Sequence, residues 1–296
     1  MTEYIEVPGG RIAYDVTGEG LPPLGDDPQT PATSPSGLAS RRPAGPLVIL
    51  APGMGDVRAT FRLLAPKLVE AGYRVATVDL RGHGESSVPF DSYSISNGGS
   101  DLAALIRHLG GGPAVVLGNS FSSGTAAWVA ATEPSLVSGI VLEAPFARPV
   151  SMNPVMRQLA KVILSSPALW GMYYKNLLKG PKPADFPAYL KTLKANMRER
   201  GRLAAARSMG LDAKAELEGV LARVFQPALI IMGTKDPDFP DPKAEADIVA
   251  GELAGKTEIV MIEGSGHYPH QEFPAETAAA VLAFLSQIAP ATQGAA

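Results

Sequence analysis

The chain has 296 residues, 46% of them hydrophobic and 19% charged, enough for one large core or a core with an inserted cap. A net charge of -3 gives no reason to expect nucleic acid as the main partner, and the absence of cysteine excludes disulfides, thiolate metal sites and a cysteine nucleophile. The opening MTEYIEVPGGRIAYDV has no basic segment followed by an apolar run, and no stretch approaches the ~20 apolar residues of a membrane span. A soluble, cytoplasmic protein without integral membrane association is the expectation.

In chain order, YIEV and RIAYDV flank a Pro-Gly-Gly turn and read as a short hairpin. Residues 18–45 are rich in Pro, Gly and Ser with little to bury, and are predicted to be a surface insertion without chemistry. Six apolar runs follow: PLVILA, YRVATVDL, AVVLGN, GIVLEA, PALIIMG and TEIVMI. Helical patterns such as TFRLLAPKLVEA and SDLAALIRHLG separate most of them, which predicts an α/β fold with a parallel sheet covered on both faces. The alternation breaks once. Between the fourth and fifth runs, MNPVMRQLAKVILSSPALWGMYYKNLL and PAYLKTLKANMRERGRLAAARSMG read as helices with no strand between them. Residues 147–211 are therefore expected to form a helical cap, and residues 1–146 and 212–296 the core.

Ligands of such sheets bind beyond the carboxyl ends of the strands, so the residues just after each run carry the functional reading. Ser120 ends AVVLGN and begins a helix, with Gly118 two residues before it and Ser122 two after. A strand that turns into a helix within one residue strains the backbone there, and small flanking residues let the turn close. An ordinary helix cap is the bland alternative for a serine at this place. Asp236 follows PALIIMG, and His267 follows TEIVMI, which puts both on loops at the same sheet edge as Ser120.

With these pieces the chain resembles the α/β-hydrolase superfamily over nearly its whole length. LAPGMGD looks like the oxyanion loop, VDLRGHGESS the strand-four signature, GNSFSSG the nucleophile elbow and GSGHYP the histidine loop. The resemblance implies an eight-stranded, mostly parallel sheet with the cap inserted after strand six, and a triad of Ser120, Asp236 and His267 in the family's chain order. Ser120 would attack an acyl carbon, His267 would take and return its proton, and Asp236 would fix the imidazole's tautomer. The backbone N–H groups of Met54 and Phe121 would meet the oxyanion. His270, Asp238 and Asp241 compete for these roles. The G-x-G-H context favours His267, and Asp236 follows its strand most closely; His83 and His108 read as structural.

Pro52 stands where the family commonly has His, and Ser122 where it commonly has Gly, which leaves the substrate class open. Carboxylic-ester hydrolysis through an acyl-enzyme is the primary expectation. A carbon–carbon bond hydrolase or other cofactor-free lyase on the same triad is one alternative, since GNSF resembles that elbow. A ligand-sensing protein with slow turnover is another, and a hydrolase-fold relic with a misplaced acid a third. Members with an Asp nucleophile, such as epoxide hydrolases, are disfavoured by Ser120. Neither a G-x-G-x-x-G fingerprint nor metal-ligand spacing is visible, so no cofactor or metal is expected.

Residues 147–211 hold twelve Lys or Arg against Asp185 and Glu199 only, near +10 in a chain of net -3. A small anionic acyl substrate or an anionic surface could answer that charge; basic residues that merely solvate an outer face are the simpler account. Met152, Met156, Leu159, Leu169, Trp170, Met172, Tyr173, Tyr174 and Phe186 could line an acyl pocket or form the cap's own core.

Overall fold

A computed structural model describes residues 1–18, 45–110, 112–149, 153–211 and 215–288. Most of the 18–45 insertion, Met152 and the last eight residues lie outside the described residues. The strands are β1 (Glu3–Val7), β2 (Gly10–Thr17), β3 (Leu47–Ala51), β4 (Arg74–Val78), β5 (Ala114–Asn119), β6 (Val137–Glu143), β7 (Ala228–Gly233) and β8 (Thr257–Ile262). They form one sheet in the order β1-β2-β4-β3-β5-β6-β7-β8; β1 and β2 pair antiparallel, β2 meets β4 antiparallel, and all other neighbours are parallel. The hairpin and the six apolar runs of the sequence thus account for all eight strands.

The central strands read as unbroken apolar runs because both faces are covered, and their side chains divide between two cores with period two. Leu47, Ile49 and Ala51 of β3 join one apolar cluster, while Val48 and Leu50 join the other. Helices α1 (Ala65–Glu70) and α10 (Pro274–Ile288) cover the second face through Leu68, Val281 and Phe284. The first face is covered by α2 (Ile95–Leu109), α3 (Phe121–Thr132) and α8 (Pro242–Glu252), through Leu102, Ala126 and Val249 among others.

Between β6 and β7 the two helical stretches of the sequence resolve into four helices: α4 (Pro154–Ile163), α5 (Pro167–Leu177), α6 (Phe186–Arg198) and α7 (Arg202–Leu211). The breaks have local causes. Ser166 caps α5 by accepting from the Leu169 amide at 3.2 Å, with Pro167 in its first turn, and Gly201 turns the chain between α6 and α7 at φ 91°. Trp170, Tyr174, Phe186 and Tyr189 form an apolar cluster of these helices with Tyr268 from the loop after β8. Trp170, Tyr174 and Phe186 are therefore packing residues, whereas Met156, Leu159 and Met172 are exposed.

Candidate active site

The elbow after β5 is built by steric exclusion. Ser120 has φ 55° and ψ -117°, a conformation rare for a residue with a side chain. Its amide donates to the Glu143 carbonyl at 2.8 Å and its carbonyl accepts from the Phe146 amide at 3.3 Å, so neighbouring chain holds the turn on both sides. A Cβ on Gly118 would stand 2.1 Å from the Ser122 carbonyl oxygen, which explains the small residue two before the serine. The Ser122 hydroxyl donates to the Pro52 carbonyl, so the serine in the place of the family's usual glycine pins the elbow to the loop after β3. Gly118→Ala is expected to lower folding stability by about 3 kcal/mol or more, because a central strand and a helix start would have to separate. Urea unfolding followed by circular dichroism measures it.

The loop that carries Met54 lies directly against this elbow: a Cβ on Gly53 would come within 3.1 Å of Ser120 Cβ. Phe121 is the first residue of α3. His83, read as structural, is structural in a way that serves the site. Burial, opposed by the Arg81 carbonyl and aided by Arg202, lowers its pKa to about 4, so its neutral Nε2 accepts the Gly55 amide at 3.0 Å while Nδ1 donates to the Arg81 carbonyl. The inserted helices hold the same loop from the other side. Trp170 Nε1 donates to the Gly55 carbonyl at 2.9 Å, and the hydroxyls of Tyr174 and Tyr189 both donate to the fully buried carboxylate of Asp56. Burial raises the Asp56 pKa, against the opposing pull of these hydroxyls and the Val57 amide.

The acid and the base are in contact. Asp236 Oδ2 lies 2.7 Å from His267 Nδ1, and both residues are buried. Burial alone would lower the imidazole pKa; the Asp236 carboxylate, helped by Asp238 and Glu143, overrides it and raises the value to about 9. The His267 backbone donates to the Leu177 carbonyl at 2.9 Å, and Asn119 Nδ2, from the residue before Ser120, donates to the His267 carbonyl at 3.2 Å. Ser120 and His267 are thus tied together through their neighbours. The Phe146 ring, 6.1 Å from the imidazole, and Phe239, 6.5 Å away, wall this side of the site.

The rival residues are engaged elsewhere. Asp241 caps α8 by accepting from the Ala244 amide at 3.0 Å. Asp238 Oδ2 stands 3.9 Å from His267 Nδ1, beyond hydrogen-bond reach, and Asp238 accepts from the Tyr173 hydroxyl. His270, in the short helix α9 (Pro269–Glu272), has both ring nitrogens occupied, by Glu143 at 2.6 Å and Thr60 at 2.8 Å. His108 is exposed at the end of α2.

Asn119, Asp56 and the Glu143–His270 pair brace the candidate site, and the sequence reading assigned them no such contacts. A signal existed for Glu143 and Asp56: a carboxylate closing an apolar strand, or following a buried loop, must find a partner. Among the described residues, Asp236, Asp238 and His267 also place one possible metal-ligand atom each within 4.8 Å of one another, a grouping invisible in linear spacing. Their oxygens already accept from Nδ1, from the Tyr173 hydroxyl and, at 3.0 Å, from the Asp238 amide, which suits a hydrogen-bond relay better than a cation site. A separate groove of about 640 Å³ is lined by Asp15, Arg58, Arg62 and Asn196 and includes none of Ser120, Asp236 or His267.

Sheet order, elbow, inserted helices and the acid–imidazole pair define an α/β hydrolase, and the chain belongs to the alpha/beta hydrolase family, which it matches over residues 48–280. It is 27% identical to epoxide hydrolase A of Mycobacterium tuberculosis, over 82% of this chain and 91% of that protein. It is 26% identical to the karrikin insensitive 2 receptor IA of Petunia hybrida, over 81% of this chain and 90% of the receptor. Among solved structures, an esterase from Exiguobacterium antarcticum superposes with a TM-score of 0.78 at 19% identity, covering 97% of this chain and 100% of the esterase.

Proposed function

We propose that this chain is a serine hydrolase that cleaves a carboxylic ester or related acyl compound through an acyl-enzyme on Ser120. The observations that carry the reading are the strained backbone of Ser120 at the strand–helix junction, φ 55°, and a buried Asp236–His267 pair at 2.7 Å whose His267 carbonyl accepts from Asn119, the residue before Ser120. Strain of this kind persists where the surroundings enforce it, and an ordinary helix cap has no need of it. His267 Nδ1, fixed by Asp236, leaves Nε2 to take the Ser120 proton as Oγ attacks the acyl carbon. The amides of Met54 and Phe121 stabilise the oxyanion, and His267 then protonates the leaving alkoxide. Water, activated by the same imidazole, releases the acyl group and regenerates the hydroxyl. Residues 147–211 act as the cap, and their contacts to Gly55 and Asp56 fix the loop that bears one oxyanion donor.

A similarity to an epoxide hydrolase does not carry its chemistry here, because an aspartate nucleophile needs a carboxylate where this chain has Ser120. The similarity to a receptor favours a second reading, in which the same pocket binds a ligand and turns it over slowly. A series of p-nitrophenyl esters of increasing acyl length separates the two. The hydrolase reading expects steady multiple turnover with a chain-length optimum. Thermal stabilisation by a ligand with at most one turnover selects the receptor reading.

A further inference from the structure

The amphipathic helix α4 is turned the wrong way for a helix of a water-soluble core. At about 100° per residue, Val155, Met156, Leu159 and Val162 share one apolar arc, and Arg157 and Lys161 lie on the opposite side. Such an arc normally faces the core. Here Val155 is 78% exposed, Leu159 58%, Met156 53% and Val162 46%, and no residue of α4 is buried; the chain is anchored just beyond its end by Leu164.

The stretch of chain that α4 opens carries charge of one sign. From Asn153 to Ala184 the sequence holds Arg157, Lys161, Lys175, Lys179 and Lys182 and not a single Asp or Glu. Elsewhere in the inserted segment two cations are paired: Arg148, ahead of α4, with Glu245 at 2.7 Å, and Arg202 with Glu199 at 3.1 Å. Among the described residues, neither Arg157 nor Lys161 makes an ion pair.

We propose that α4 docks this protein on an anionic lipid bilayer. Val155, Met156, Leu159 and Val162 enter the boundary between headgroups and acyl chains, while Arg157, Lys161 and the lysines of the following segment meet anionic headgroups. An exposed apolar arc backed by a Lys/Arg polar face is what an interfacial helix presents to such a surface. No helix among the described residues is long and apolar enough to cross a membrane, so the attachment is peripheral.

Flotation of the full chain with vesicles tests this, using phosphatidylcholine alone and phosphatidylcholine mixed with phosphatidylglycerol. The wild type is expected to float with the mixed vesicles at low salt, to be released by high salt, and to ignore the neutral ones. V155E/L159E is expected to lose vesicle binding with an unchanged melting curve, since both side chains are exposed. R157E/K161E is expected to lower binding by more than about tenfold, at roughly a factor of five per cationic residue near the surface. Absence of wild-type binding at low salt, or V155E/L159E binding as well as wild type, overturns the proposal. Light scattering adds a third arm: a dimer that V155E/L159E converts to monomer, without vesicle binding, assigns the face to a second copy and overturns it equally.

Discussion

Replacing Ser120 by alanine is expected to reduce kcat for an ester substrate by on the order of 10⁴–10⁶-fold while leaving the protein folded. The residual rate would come from the oxyanion donors and substrate binding, which the substitution does not touch. Alanine removes only the hydroxyl. The turn itself is imposed by neighbours: Gly118 against the Ser122 carbonyl, the Ser120 amide on Glu143 and the Ser122 hydroxyl on Pro52. Denaturation curves of the variant and wild type are therefore expected to agree closely, which separates lost chemistry from lost structure. A reaction that never used Ser120 would leave kcat unchanged.

Asp236→Asn is expected to lower kcat by about 10⁴-fold at neutral pH, and its pH dependence distinguishes the reason. In the wild type, burial works to keep His267 neutral, but the carboxylate 2.7 Å away wins and sets the pKa at about 9. A base must be unprotonated to act, so wild-type kcat/KM is expected to climb with pH and level off only above about 9. With Asn in place of the carboxylate, burial is left with less opposition and the rising limb moves to lower pH. The plateau nevertheless stays far below wild type, because an amide that donates toward Nδ1 favours the wrong tautomer. Folding stability follows the same linkage. The imidazolium is stabilised in the folded state, so its contribution is fully present below the unfolded pKa of about 6.5. It is lost as pH rises through about 9. A variant whose rising limb did not move would show that Asp236 is not the group that holds the proton on His267.

The candidate residues were legible in the sequence because a sheet presents its functional side chains just beyond its strand ends: Ser120 directly follows β5, and Asp236 and His267 lie in the loops after β7 and β8. Ser120, Asp236 and His267 each follow an apolar run, and the choice of His267 over His270 rested on the glycines before it. The structure supplies the reason for those glycines: a Cβ on Gly266 would fall 2.0 Å from the Leu177 carbonyl oxygen. What could not be read were interactions between distant segments. Glu143 meets His270 across 127 residues, and Asp56 meets Tyr174 and Tyr189 across 118 and 133; no local spacing encodes such contacts. The split of the inserted segment into four helices was encoded, in Ser166-Pro167 and Gly201, but the stronger apolar period concealed it. Periodicity also revealed that α4 is amphipathic without saying which face is covered, so Met156 and Leu159 read as core or pocket residues and proved to be exposed.

The most direct measurement of the central claim is the intact mass of the protein after exposure to a fluorophosphonate. A serine activated by a buried Asp–His pair displaces fluoride and retains the phosphonyl group. The wild type is expected to gain one adduct, located on the peptide that contains Ser120, and Ser120→Ala to gain none. A wild-type mass that does not change, or an adduct found on any other residue, would contradict the assignment of Ser120 as the nucleophile.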